Sequence, residues 1–280
     1  YLFRKDDNPH TVLIGKDTRQ SGYMIETALT AGFTSMGINV RLVGPLPTPG
    51  VSYIMRSLRA DAAVMISASH NPYYDNGIKF FARDGYKLPD EIEDEIERLV
   101  RGEEIDSVRP TGTRLGRARR IDDVAGRYIE YAKSTFPKGM RLDGLKIVCD
   151  GANGAAYRVG PDTLRELGAE VVALGIEPDG TNINANCGSM FPEVMRSRVI
   201  TEKANLGIAF DGDGDRIVMA DEDGRLLDGN ALLSILGTDM IERNMLPEKT
   251  VVTTNMANGG LERTISPLGG KIMRTKAGDR

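Results

Sequence analysis

The chain is poor in the residues that build most metal centres and disulfide frameworks. Its two histidines, His10 and His70, all but exclude a multi-histidine metal site. Its two cysteines, Cys149 and Cys187, lie far apart without C-x-x-C spacing. Neither a disulfide scaffold nor a zinc site is therefore expected, and a reducing, cytoplasmic setting is the simplest reading. No apolar run approaches the ~20 residues that a membrane helix needs, and no secretory signal is visible. The net charge of −4 offers no global field for nucleic acid or membranes, although a basic phosphate site can exist locally. No Walker A loop is present, which argues against a nucleotide-driven kinase. The first residue is Tyr1 rather than Met, so the natural amino terminus is expected to lie upstream.

The sequence does hold enough residues, 280, for more than one domain. An apolar strand, a polar or Gly-containing turn, a helix and a second strand recur three times. The copies start at Thr11-Val12-Leu13-Ile14, Lys146-Ile147-Val148-Cys149 and Thr250-Val251-Val252-Thr253. Their helices are expected near 21–35, 161–167 and 261–267, the first with Ser21 as its cap. This alternation predicts an α/β protein of repeated βαβ-based, mixed-sheet domains. The charged stretch 101–120 reads as a linker, and an acidic helix precedes it over 89–100. The expected division is 1–118, then 119–223, then an incomplete third domain over 224–280. The last strand of that third unit should be poorly covered.

Two segments carry chemistry. Ala62-Ala63-Val64-Met65-Ile66 reads as a buried strand, and Ser67-Ala68-Ser69-His70-Asn71-Pro72 follows as a tight turn. A hydroxyl at a strand's carboxyl end suits a nucleophile or phosphate carrier. Gly77 permits close backbone approach, and Lys79 could supply a base or electropositive surroundings for Ser69. As a bland alternative, Ser69 is a turn serine and Lys79 a solvated strand lysine. His70 invites a Ser–His hydrolase reading, but neighbours on an extended chain point apart, and no G-x-S-x-G elbow exists. The second segment, Asp211-Gly212-Asp213-Gly214-Asp215-Arg216, follows the apolar run 206–210. Three carboxylates there repel one another unless a cation sits among them, and a hard, oxygen-bound ion such as Mg²⁺ fits. An EF-hand reading puts Arg216 where Gly is required and has strands rather than helices as flanks. A D-x-D phosphatase would leave Ser69 and Lys79 without a role. Arg19, after the strand at 11–15, is either an exposed loop residue or an active-site arginine.

The run Ile66–Phe81 resembles the phosphoserine loop of the α-D-phosphohexomutase superfamily, and Phe210–Arg216 resembles its metal loop. Pro178–Asn184 with Asn186–Ser189 is similar to the bacterial phosphoglucosamine branch, although Met190-Phe191 stands where that branch more often has Thr-His. Lys276–Arg280 is similar to a domain-three segment. Members have four domains, so the resemblance implies a phosphohexomutase-like fold truncated in the third domain, inactive alone or part of a longer enzyme.

The resemblance also implies roles. Ser69 would carry the phosphoryl group, and its phosphate oxygen would join Asp211, Asp213 and Asp215 around one Mg²⁺. Lys79 would act as general acid/base, for which a lowered pKa is expected. Arg19 and Arg216 would support the site electrostatically, His70 and Asn71 would shape the loop, and Lys276 would approach the substrate. The implied activity is an isomerase reaction between glucosamine 6-phosphate and glucosamine 1-phosphate, through a bisphosphate, on the route to peptidoglycan precursors. Expected partners are a hexosamine phosphate, a bisphosphate activator and a second copy in a homodimer, with no nucleic acid and no membrane. The rivals are phosphomannomutase or phosphoglucomutase chemistry and, from another class, a non-catalytic Ca²⁺-binding protein.

Overall fold

The computed structural model describes residues 9–102 and 109–277. The first unit runs β1 (Thr11–Lys16), α1 (Gln20–Ser35), β2 (Asn39–Pro45), α2 (Thr48–Ser57), β3 (Ala62–Ile66), β4 (Ile78–Ala82) and α3 (Asp90–Arg101), then β5 (Ala118–Arg120), and α4 (Val124–Thr135) leads from it into the second. The second runs β6 (Lys146–Asp150), α5 (Val159–Glu166), β7 (Glu170–Leu174), α6 (Pro192–Glu202), β8 (Leu206–Phe210), β9 (Ile217–Ala220) and β10 (Leu226–Leu227). The third holds α7 (Gly229–Glu242), β11 (Thr250–Thr254), α8 (Gly259–Ile265) and β12 (Lys271–Thr275).

The apolar runs become buried parallel strands because helices cover both faces of the first sheet. Val12 and Ile14 point with Val40, Val64 and Ile66 towards Ile25, Leu29 and Phe33 of α1. The alternate residues Leu13, Ala63 and Met65 pack on the other face with Val51, Ile54 and Met55 of α2. That second cluster continues through Val124 and Ile129 of α4 to Ala155 and Val159, so one core reaches both of the first two units.

The two large sheets share a wiring plan. Their orders are β4-β3-β1-β2-β5 and β10-β9-β8-β6-β7. In each, the first strand is flanked by two parallel neighbours, and the strand after the third returns antiparallel. The chain therefore crosses to opposite sides of the first strand in each sheet, and the crevice at the strands' carboxyl ends is where such sheets bind ligands. The Ser69 loop follows β3 and the aspartate loop follows β8, so the two occupy equivalent positions.

Several boundaries differ from the sequence reading. Ser21 is not the cap of α1: the helix starts at Gln20, Arg19 stands at the cap position, and the Ser21 hydroxyl accepts a hydrogen bond from Asn76 at 2.9 Å. The expected linker ends in β5, which pairs with β2 through Val40–Leu42; its residues 103–108 lie outside the described residues. The α8 helix begins two residues early, because the Asn258 side chain accepts from Gly260 N–H and caps it. The final strand, β12, is largely exposed, as expected.

Leu13→Ala and Ile54→Ala should each cost ~2–5 kcal/mol. Because their cluster includes Val159, urea melting followed at probes in both of the first two units should show one shared transition moving down. A shift confined to probes in the first unit would contradict a shared core.

Candidate active site

Ser69 is 8% exposed, and its φ of 53° lies in the left-handed region. The backbone at the nucleophile candidate is thus not extended, and the tight turn is held from several sides. Ser69 N–H donates to Ser67 Oγ at 3.0 Å, and Ser67 Oγ donates to Asp17 Oδ2 at 2.5 Å. Ser67 N–H bonds the carbonyl of Gly77 at 2.9 Å, and a Cβ on Gly77 would stand 2.9 Å from Ser67 O. Gly77 therefore serves the close approach its sequence position suggested. The Ser69 hydroxyl crosses to the second sheet and donates to Asp211 Oδ2 at 2.7 Å.

Asp211 and Asp213 are fully buried and Asp215 opens to solvent; one carboxylate oxygen from each lies within 4.8 Å of the others. The loop is shaped by Gly214 at φ +66° and by Asp211 Oδ1, which accepts from Arg216 N–H at 3.1 Å. Thr48, at the start of α2, donates its hydroxyl to Asp213 Oδ2 at 2.6 Å and its N–H to Asp213 O at 2.9 Å. Lys79 Nζ reaches Asp213 Oδ2 at 2.6 Å and Asp215 Oδ2 at 3.5 Å. Gly212 lets the loops touch: a Cβ there would be 2.5 Å from Ser69 O. Gly154 does the same on the far side, 2.4 Å from Gly212 O.

Burial pushes the Asp211 carboxyl up to about 6; the Ser69 hydrogen bond opposes this, and the Asp213 and Asp215 charges add to it. Burial also opposes ionisation of Asp213, but Lys79 and Thr48 hold it below the usual carboxylate range. Lys79 departs from the sequence reading, which required a lowered pKa. Burial does pull it down, but the hydrogen bond and charge of Asp213, with Asp215, outweigh that and leave it raised. The cluster offers three carboxylates and a hydroxyl, all hard oxygen donors, and Asp213 Oδ1 is buried with no hydrogen-bond partner. This donor set fits a divalent cation such as Mg²⁺.

Arg19 is not an exposed loop arginine: it is wholly buried against the Asp17 carboxylate. Its Nη2 donates to the carbonyls of Ser69 at 3.2 Å and Asn71 at 2.5 Å. His70 Nδ1 lies 3.3 Å from Arg216 Nη1, so the ring meets the arginine while the Ser69 hydroxyl meets Asp211. Arg216 itself is exposed, with Nε 3.8 Å from Asp215. Lys276 follows β12 and is exposed; among the described residues it shares no hydrogen bond or ion pair with this cluster. Sequence reasoning missed Asp17, Thr48, Ser67 and Asn184, whose amide donates to Ser69 O at 2.9 Å. A faint signal existed for Asp17. Asp17 directly follows β1 and Asp150 ends β6, the first strand of each sheet; both are buried and accept the N–H two residues on at 2.9 Å.

Two outcomes follow for the loop residues. Between its ordinary 3.8 and about 6, folded Asp211 binds a proton that the unfolded chain does not. Its contribution to metal-free stability is thus present at low pH and lost as pH rises through about 6. A cation must displace that proton, so the Mg²⁺-induced rise in Tm should be larger at pH about 7.5 than at about 5. An equal rise at both would count against a protonatable Asp211. Ser69→Gly should be more stable than Ser69→Ala by about 1 kcal/mol, because glycine removes the left-handed strain that alanine keeps; equal urea midpoints would deny that strain.

Comparison with known proteins bears on the chain as a whole. Models of phosphoglucomutase/phosphomannomutase alpha/beta/alpha domains I, II and III match residues 1–106, 126–224 and 228–280. The phosphoglucosamine mutase of Geotalea uraniireducens is 56% identical over the whole chain, and that of Myxococcus xanthus 55%. The chain spans 62% and 61% of the length of these curated relatives. A crystal structure of a phosphoglucomutase/phosphomannomutase family protein from Burkholderia thailandensis matches with a TM-score of 0.80 at 28% identity, over 96% of this chain and 58% of that one. The three matched domains, in order and covering both loops, show that the chain belongs to the phosphoglucomutase/phosphomannomutase family.

Proposed function

We propose that this chain carries phosphoryl transfer between Ser69 and a hexosamine phosphate, interconverting glucosamine 6-phosphate and glucosamine 1-phosphate. The observation that carries the reading is the Ser69 hydroxyl on Asp211 Oδ2 at 2.7 Å, with Lys79 on the same carboxylate cluster. The sugar assignment is supported by curated phosphoglucosamine mutases at 54–56% identity over the whole chain. The same chemistry on mannose or glucose phosphate is the second reading, favoured by the domain models' own description. A calcium loop is disfavoured because the aspartates join β8 to β9 rather than two helices.

In the forward half-reaction the free hydroxyl of the sugar phosphate attacks the phosphorus on Ser69. An O–P bond forms to the sugar, the Oγ–P bond breaks, and a bisphosphate results. The hydroxyl loses a proton and Ser69 Oγ regains one. The reverse half-reaction, with the sugar turned, returns the other phosphate to Ser69. Asp211, Asp213 and Asp215 would hold Mg²⁺, with a phosphoserine oxygen as a further ligand; when bound, the ion supplies Lewis-acid polarisation of the phosphoryl oxygens. Lys79 would move the proton. Its raised pKa comes from Asp213 and Asp215, so carboxylates engaged elsewhere would release it towards neutrality. Arg216, exposed at the mouth beside His70, would meet the anionic substrate.

The test is a steady-state assay of the complete natural polypeptide with Mg²⁺ and a bisphosphate activator. Glucosamine, glucose and mannose phosphates are compared by kcat/KM, alongside Ser69→Ala. Glucosamine phosphate should lead, and Ser69→Ala should lose at least ~10³-fold in kcat, because the covalent carrier is gone. Preference for mannose or glucose phosphate would overturn the sugar assignment alone. Full activity of Ser69→Ala would overturn the phosphoserine.

A further inference from the structure

The segment 178–189 stood out in sequence, yet none of its residues belongs to the carboxylate cluster. In the structure it straps the two large sheets together. Gly180 O accepts from Gln20 N–H, at the start of α1, at 2.9 Å, and Asn184 N–H donates to Ala152 O at 2.9 Å. Asn184 is 5% exposed and sits at φ 58°, a conformation that Asn tolerates better than most residues. Its amide nitrogen donates to two carbonyls of the Ser69 loop, Ser69 O at 2.9 Å and Asn71 O at 3.1 Å. Arg19, from the other sheet, donates to the same two oxygens. The amide also abuts the aspartate loop, since a Cβ on Gly212 would lie 2.7 Å from Asn184 Nδ2 and 2.5 Å from Ser69 O. The partner atom of the amide, Oδ1, is buried without a hydrogen bond. Turned over, the side chain would set that oxygen against two carbonyl oxygens, so only one orientation is stable.

We propose that Asn184 is a positioning residue that sets the register of the Ser69 loop against the aspartate loop; this rests on the phosphoryl-transfer reading above. Its side-chain hydrogen bonds go to backbone carbonyls, not to the Ser69 hydroxyl or the three carboxylates. It acts through the backbone. Ser69 N–H is held by Ser67, and Ser69 O is held jointly by Arg19 and Asn184. The Asn184 grip comes from the chain segment that also packs under Gly212, so it ties the position of Ser69 Oγ to Asp211 rather than to its own sheet alone. Misplacing reacting atoms by about 1 Å is enough to cost ~10²-fold in rate.

The test compares Asn184→Ala and Asn184→Asp with the unsubstituted, complete natural polypeptide. Asp keeps the volume and the tolerance for positive φ while replacing the donor with an acceptor, which covers the case where Ala fails to fold. Both should lower kcat by about 10–100-fold, with the KM for sugar phosphate and the Mg²⁺ midpoint unchanged within about twofold. Amide hydrogen exchange in 67–71 should speed up while the core strands stay protected. A folded variant with kcat within about twofold of the unsubstituted protein would overturn the proposal, as would unchanged exchange at 67–71. Should the unsubstituted protein turn over no hexose phosphate, the mutase reading falls, and exchange at 67–71 alone decides the clamp: faster supports it, unchanged sinks it.

Discussion

The site is organised around the cost of crowding like charges in a buried loop. Asp211, Asp213 and Asp215 bring oxygens within 4.8 Å of one another, and the first two are sealed from water. At an effective dielectric of ~20, two such charges repel by on the order of 3 kcal/mol. Within the loop, Arg216 relieves part of this, by its N–H on Asp211 and its guanidinium near Asp215. The other groups that do so come from the first unit: Lys79 from β4, Thr48 from the start of α2, and the Ser69 hydroxyl from the loop after β3. The aspartate loop therefore draws the two units together electrostatically, and the apolar cluster running from α2 through α4 to Val159 holds them in that register.

The equivalence of the two loops explains why the Ser69 hydroxyl and the aspartate carboxylates meet at all. Each follows the third strand of the same wiring plan, and each lies at the carboxyl end of a sheet whose first strand runs into a buried aspartate. Two copies of one crevice bring the Ser69 hydroxyl and the Asp211 carboxylate face to face. Glycine makes the contact close. At 212 a single added carbon would strike the Ser69 carbonyl at 2.5 Å, so the two loops approach as only bare backbone can.

The strands, their order of appearance and both loops were legible because each is local. Val12–Ile14 and Ala62–Ile66 are apolar runs ended by turn residues, and Asp211–Asp215 is a contiguous cluster that only a cation or a counter-charge can accommodate. What sequence could not show is which distant groups supply that counter-charge. Thr48 and Asp213 are 165 positions apart, and Asn184 and Ser69 are 115 apart, so no periodicity connects them. Lys79 illustrates the same limit. Its place at a strand start was readable, but the direction of its pKa depends on two carboxylates more than 130 positions away. Arg19 stayed ambiguous because a loop arginine after a strand looks the same whether it faces solvent or is buried on Asp17. Ser21 looked like a cap because serine favours that position, but its hydroxyl is taken by Asn76 across the turn.

Ser69 is pinned at three points, its N–H, its carbonyl and a left-handed φ, while its hydroxyl projects to the carboxylates. A residue held this way has little freedom to travel. In the proposed reaction one phosphoryl group leaves the Ser69 oxygen and another returns to the same oxygen, while the two sugar hydroxyls that exchange them are those of carbons 1 and 6. With the carrier fixed, the ring has to turn. The strain at Ser69 has a consistent purpose in that scheme: it fixes the oxygen's direction before either half-reaction begins, so no reorganisation of the loop is needed in the transition state of either.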